Sequence, residues 1–289
     1  MVRQSLNVVR REPGLHRSTS RSYGHLASCD GRRSRNFIVD PYARGAIRTL
    51  FQPIFKLMPE GPQLFGAECL SRGPVGSVFE SPAALFGFAR EAGSICILDR
   101  ACIALGLCHA VNLPPSALVF LNLHPETLKD DLGFPAFLEE VAHSYGIALD
   151  RIVIELLEYS RIAWARPSKR CRQLAGLRAK GVRLALDDVH TNVDEVSRVA
   201  DYQPDFLKID GEVLRGSRFH APHRRFLVMM LDFAERLDIG VIAEGLETEH
   251  DLRVTQAADI ALAQGFLLGR PAPVEDLLEV WLATPGTQS

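Results

Sequence analysis

The chain has 289 residues, 47% hydrophobic and 24% charged, a composition that excludes disordered and fibrous classes. No run approaches the roughly 18 consecutive apolar residues of a membrane helix, so a bilayer-spanning helix is excluded. The net charge of −2 carries no polyanion-binding signal, but residues 1–36 hold eight Arg and no Lys against Glu12 and Asp30, a balance of +6 that leaves −8 for the remainder.

In chain order, residues 1–36 read as a basic arm, disordered by composition and lacking the apolar segment of a secretory signal. From Phe37 onward, β-type runs alternate with helical ones, the pattern of βα units building a parallel sheet. Strands are expected over Thr49–Leu57, Leu64–Leu70, Leu118–Leu123, Ile152–Leu157, Arg183–Leu186, Phe206–Ile209, Val241–Ala243 and Ile260–Leu267. Helices are expected over Ser81–Ala92, with Ser81 as N-cap and Pro82 at the first helical position, and over Ile97–Val111, Pro167–Lys180, Pro222–Leu237 and Glu247–Gln256. Eight strands with interposed helices over residues 37–284 fit an α/β, TIM-like (β/α)8 barrel of about 250 residues, followed by a tail at 285–289. The turn Met58–Gly61 leaves no room for a crossover helix, so the first strand should be antiparallel. The six Cys form no CxxC pair, and Cys96, Cys102 and Cys108 share one helical apolar stretch. This reads as buried free thiols in a reducing, cytoplasmic compartment.

The apolar strand runs end in polar residues: Glu68 in GAECLSR, Asn122 in FLNLH, Glu155 in IVIELLE, Asp187 and Asp188 in LALDDV, Lys208 in FLKID, Glu244 in VIAEGLE and Gln264 in ALAQGF. Any one of them alone is more often a solvated strand end or a structural ion pair than part of a site. Seven successive strand ends of this kind place the side chains at one barrel mouth, where this fold builds its sites. Crowded carboxylates need cations, and hard oxygen donors suit Mg²⁺, Mn²⁺ or Ca²⁺. Adjacent carboxylates such as Asp187 and Asp188 suit two metal ions of the kind used in phosphodiester cleavage, although the pair by itself also fits a turn-starting cluster. Lys208 adds a fixed positive charge.

These strings resemble the EAL family of cyclic di-GMP phosphodiesterases. FQPIF (51–55) is similar to the family's YQPI, AECLSR (67–72) to the EAL signature with its Arg, and FLNLH to the segment bearing the family's Asn. IELLE, LALDDV, FLKID, VIAEGLE and AQGFLLGRP follow in the family's order. The resemblance implies a barrel with an antiparallel first strand and hydrolysis of cyclic di-GMP to linear pGpG with two divalent ions, Mg²⁺ or Mn²⁺, Ca²⁺ being inhibitory. It also implies that Glu68, Asn122, Glu155 and Asp187 hold the first ion, that Asp188 binds the second, and that Glu247 lies near the second. In the same carry-over Lys208 orients the attacking water, Glu244 is general base or ligand, Gln264 supports the water, and Gln52 and Arg72 contact the dinucleotide. Glu158 matches the residue that anchors the loop after the double Asp, and a homodimer is expected.

Two departures stand out. Cys69 replaces the central Ala of the signature, and Asp-Asp-Val-His-Thr-Asn (187–192) stands where the family has DDFGTG, losing both Gly. The altered loop motivates an alternative, a catalytically silent cyclic di-GMP receptor acting through a protein partner, whereas the complete set of carboxylates favours the enzyme. A retaining glycosidase would explain Glu155 and Glu244 but neither the double Asp nor Lys208. Regulatory input is expected through dimerisation, a protein partner or the N-terminal segment, with no nucleic-acid polymer as ligand.

Overall fold

A computed structural model of the chain describes residues 47–156, 169–189 and 194–283. The expectations for the basic arm, for Glu158, for the 190–192 part of the altered loop and for the tail fall outside those residues. Strands β1 (Arg48–Met58) and β2 (Gly61–Arg72) form a hairpin, followed by α1 (Pro82–Glu91), α2 (Ile95–Ala110), β3 (Leu118–Leu123), α3 (Pro125–Asp130), α4 (Phe134–Tyr145) and β4 (Ile152–Leu156). The second half contains α5 (Lys169–Arg178), β5 (Arg183–Val189), α6 (Asp194–Tyr202), β6 (Phe206–Ile209), α7 (Gly211–Phe219), α8 (Ala221–Arg236), β7 (Gly240–Ala243), α9 (Glu249–Ala257), β8 (Leu262–Gln264) and α10 (Val274–Ala283).

The strands close into a barrel in the order β1 to β8. β1 runs antiparallel to both of its neighbours, β2 and β8, and every other pair is parallel. The hairpin expected from Met58–Gly61 is therefore present, and its turn places Gly61 at φ 129°, a region side chains rarely adopt. Helix α1 starts as its sequence signals, with the Ala84 amide donating to Ser81 Oγ at 3.3 Å and Pro82 in the first turn. β8 is shorter than expected. Its first expected residue, Ile260, donates its amide to Thr255 O and so ends α9, and a Cβ at Gly265 would lie 2.2 Å from Leu246 O, which turns the chain out of the sheet.

Two apolar layers hold the barrel. Ile54, Leu118, Phe120, Val153, Ala185, Phe206, Ile242 and Leu262 fill its interior together with Phe65, so all eight strands contribute. The Phe206 ring meets Phe65 and Phe120 at 5.7 Å in edge-to-face or tilted contacts. A larger cluster, including Phe51, Leu107, Val119, Leu138, Leu156, Leu177 and Leu184, seals strands against helices. Cys69, Cys96 and Cys102 are free, but Cys108 is disulfide-bonded, which corrects the reading of the whole trio as free thiols. Spacing along one helix addresses only sequence neighbours, whereas a disulfide joins neighbours in space.

Asp99 ties α2 to the start of α3: its Oδ2 accepts from the His124 amide at 3.0 Å and from the Thr127 hydroxyl. Burial pushes its carboxyl up to about 7, against the pull of the Thr127 and His124 hydrogen bonds. The folded chain thus keeps this proton where the unfolded chain, titrating near 4, has lost it. Stability from the neutral acid is complete below about pH 4 and is lost as pH rises through about 7. Melting curves of wild type and Asp99→Asn from pH 5 to 8 should therefore diverge, the wild type losing more stability. Parallel curves would refute this assignment.

Candidate active site

Residues two apart on a strand share a face. Two residues beyond the interior apolar layer, Phe120 is followed by Asn122, Val153 by Glu155, Ala185 by Asp187, Phe206 by Lys208, Ile242 by Glu244 and Leu262 by Gln264. β1 runs the other way, so the equivalent of Ile54 is two residues earlier, Gln52, which pairs in register with Glu68 on β2. The alternation that fills one storey of the barrel with hydrocarbon thus fills the next with polar side chains.

Lys208 stands at the centre of this storey, 1% exposed. Its Nζ lies 2.8 Å from Glu155 Oε1, 2.8 Å from Glu244 Oε1, and 3.3 Å from both Glu68 Oε2 and Asp187 Oδ1. Glu68 also accepts from Asn122 Nδ2 and from Gln264 Nε2, each at 2.8 Å. Gln264 Nε2 reaches Gln52 Oε1 at 3.3 Å, and Gln52 Nε2 donates to Gly269 O at 3.2 Å. One polar network therefore runs from the β8 loop through both amides to the carboxylates.

Burial alone would drive the Lys208 proton off, but Asp187, Glu155, Glu244 and Glu68 together hold its ammonium far above the ordinary range. Burial raises Glu68 as well, and the Lys208 charge with the hydrogen bonds from Asn122, Gln264 and Lys208 outweighs it, leaving this carboxyl below its usual range. Glu155, fully buried and facing Glu68, is pushed well up despite Lys208. Burial pushes Glu244 to about 8, with Lys208 opposing and Asp187 and Glu68 adding to the rise.

The structure brings Gln52, Glu68, Asn122, Glu155, Asp187, Lys208, Glu244 and Gln264 to one mouth. Glu247 lines the same cavity with Gln52, Glu68, Glu244 and Gln264. Arg72 is not on the cavity lining, and its guanidinium donates to Ser71 O at 2.9 Å. Asp188 lies on β5, where the register against β6 shifts between Leu186 and Val189. Phe266 also lines the cavity, with the Arg270 guanidinium 4.3 Å above its ring. The sequence reading did not single it out, although the Gln264-Gly265-Phe266 string marks its place.

Among the described residues no group of three or more His, Cys, Asp or Glu side chains is arranged to hold a metal ion, the Lys208 ammonium lying among the carboxylates instead. The donor chemistry nevertheless fits a divalent cation. The carboxylates and the Asn122 amide are hard oxygen ligands, and Glu155 Oε2 is buried without a hydrogen-bond partner.

The chain matches the EAL domain over residues 36–271. An uncharacterized signaling protein of Caulobacter vibrioides is 31% identical over 172 residues, covering 60% of this chain and 20% of that protein. PdeN of Escherichia coli, named as a probable cyclic di-GMP phosphodiesterase, is 26% identical over 175 residues, covering 61% of this chain and 33% of that protein. The chain thus spans a fifth to a third of these relatives' lengths. BlrP1 of Klebsiella pneumoniae, solved as a complex with manganese and cyclic di-GMP, superposes with a TM-score of 0.69 at 27% identity, covering 78% of this chain and 56% of that one. Matched over most of its length and built as an eight-stranded barrel with an antiparallel first strand, the chain belongs to the EAL domain family.

Proposed function

We propose that the chain hydrolyses cyclic di-GMP to linear pGpG, and that the convergence of Glu68, Asn122, Glu155, Asp187, Lys208, Glu244 and Gln264 on one barrel mouth carries this reading. The named activity of PdeN and the ligands of BlrP1 support it. Water adds to one phosphorus, the bond to the 3′ oxygen breaks, and that oxygen leaves with a proton. Two divalent ions, Mg²⁺ or Mn²⁺, the first on Glu68, Asn122, Glu155 and Asp187 and the second on Asp188 beside Glu247, would lower the pKa of the water and neutralise developing charge.

The chain's own residues do the rest. Glu244, in its ionised form beside the Lys208 ammonium at 2.8 Å, accepts the proton of the attacking water. Lys208 holds that water by a donated hydrogen bond, and Gln264 supports it from β8. Gln52 at the rim contacts the dinucleotide, and Arg72 pairs with a phosphate oxygen on swinging from Ser71 O. In this reading the barrel domain takes residues 37–284, with the basic arm at 1–36 and the tail at 285–289 outside it, Glu158 anchors the loop after Asp188, and two copies pair as a homodimer in a bacterial signalling system. Among the described residues no helix is long and apolar enough to cross a membrane.

The test is incubation of the purified chain with cyclic di-GMP and Mg²⁺ or Mn²⁺, followed by chromatography, with a binding titration in Ca²⁺. The expected result is pGpG that disappears after chelation and in Asp188→Asn. Binding without cleavage would instead identify a receptor that acts through a protein partner. Neither binding nor cleavage would overturn both readings.

A further inference from the structure

The turn between β7 and α9 carries Glu244 and Glu247 onto the cavity wall. Its conformation is demanding: Gly245 sits at φ 63°, and a Cβ at Gly211 would lie 2.7 Å from Glu244 O and 2.9 Å from Arg215 Nη1. On its inner side the turn is held by backbone hydrogen bonds, with the Glu244 amide on Ile209 O at 2.9 Å, the Leu246 amide on Gln264 O at 3.2 Å and Leu246 O accepting from Leu267 at 2.9 Å, and by the Lys208 ammonium 2.8 Å from Glu244 Oε1. On its outer side it is held by two side chains. Asp251 Oδ2 accepts from the amides of Glu247 and Thr248 at 3.1 and 2.9 Å and from Thr248 Oγ1 at 2.9 Å. Arg215 of α7 donates from Nη1 to Gly245 O at 3.1 Å, and the same nitrogen lies 3.8 Å from Asp251 Oδ1. One guanidinium thus grips both ends of the turn, its carbonyl at Gly245 and its cap at Asp251.

Arg215 is partly exposed and its separation from the buried Asp251 carboxylate is 3.8 Å, so the pair contributes little to global stability. Its effect should be local, because the Glu244 side chain lies one residue before the gripped carbonyl and the Glu247 amide is bonded to the gripped carboxylate. We propose that Arg215 is a positioning residue for the phosphodiester reaction, clamping the Gly245–Thr248 turn so that Glu244 and Glu247 stay on the cavity wall. This inference rests on the phosphodiesterase reading for its catalytic half and on the geometry alone for the clamp.

The experiment compares wild type, Arg215→Met, Arg215→Lys and, as a surface control, Arg236→Ala, in the full chain. Hydrogen–deuterium exchange should show the peptide covering residues 244–250 exchanging at least about threefold faster in Arg215→Met, with the β3 and β4 peptides unchanged. Turnover of cyclic di-GMP should fall about tenfold or more in kcat with KM within about twofold, Arg215→Lys should recover part of both effects, and Arg236→Ala neither. Unchanged exchange overturns the clamp. Faster exchange with unaltered kcat overturns the positioning role. If Arg215→Met melts globally, Arg215→Lys against wild type carries the same comparison, since one donor replaces a two-ended grip. A wild type that does not hydrolyse cyclic di-GMP overturns the phosphodiesterase reading and with it the positioning role, and the exchange data then decide the clamp by themselves.

Discussion

Glu68→Ala should reduce pGpG formation by on the order of a thousandfold or more, with a modest loss of stability. Glu68 is the junction of the polar storey: Asn122, Gln264 and Lys208 all donate to it, and Gln264 in turn orients Gln52. Removing it deletes a proposed cation ligand and strands two amide donors in a buried site, at about 1–3 kcal/mol for each that finds no new partner. The stranded amides are free to turn inward, so the variant should lose the ordered path from β8 to the carboxylates. Rates measured in Mn²⁺ and a thermal melt of the same sample separate the two effects. Turnover within tenfold of wild type in a folded Glu68→Ala would remove Glu68 from the mechanism.

Lys208→Met should act on stability as well as on rate. Its ammonium faces Glu68, Glu155, Asp187 and Glu244 within 3.3 Å in a site with almost no access to water. An isosteric apolar replacement leaves those carboxyls without their cation, and breaking a buried ion pair in this way costs about 3–5 kcal/mol. In metal-free buffer the variant should therefore melt well below wild type, the more so as pH rises and the carboxyls ionise. If the same carboxylates bind divalent ions, Mn²⁺ should raise the variant's melting temperature by more than it raises that of wild type, since binding to the folded state alone stabilises it. Turnover should still be lost, because the ions replace the charge of Lys208 and not its donated hydrogen bond. A variant as stable as wild type in chelator would refute the electrostatic role given to Lys208.

Much of the site is legible in the sequence because the strands are short and regular. Asn122, Glu155, Asp187, Lys208, Glu244 and Gln264 each follow an apolar run, and closure of the barrel turns those string ends into one rim. What spacing could not express was distance. Lys208 reads as one polar end among several, and only the closed barrel shows its ammonium in contact with four carboxylates. Arg215 was invisible for a related reason: it sits in the middle of α7, thirty residues before the carbonyl it grips, with no periodic or motif signal to mark it. The sequence extends β8 beyond Leu262–Gln264 because an apolar run looks the same whether it continues in the sheet or leaves it, and the departure is forced by contact between Gly265 and Leu246.

The class of fold, the antiparallel hairpin at its start and the chemistry available at the strand ends are all written in the sequence. These follow from local causes: period-two alternation, helix caps, and a turn too short for a crossover. Only the closed barrel shows which side chains pair, which carboxyls are pushed up or held down, that Cys108 is disulfide-bonded, and which arginine bonds the turn beside Glu244. Those depend on burial and on separations of a few ångströms between residues far apart in the chain, and electrostatic and hydrogen-bond energies act at that range.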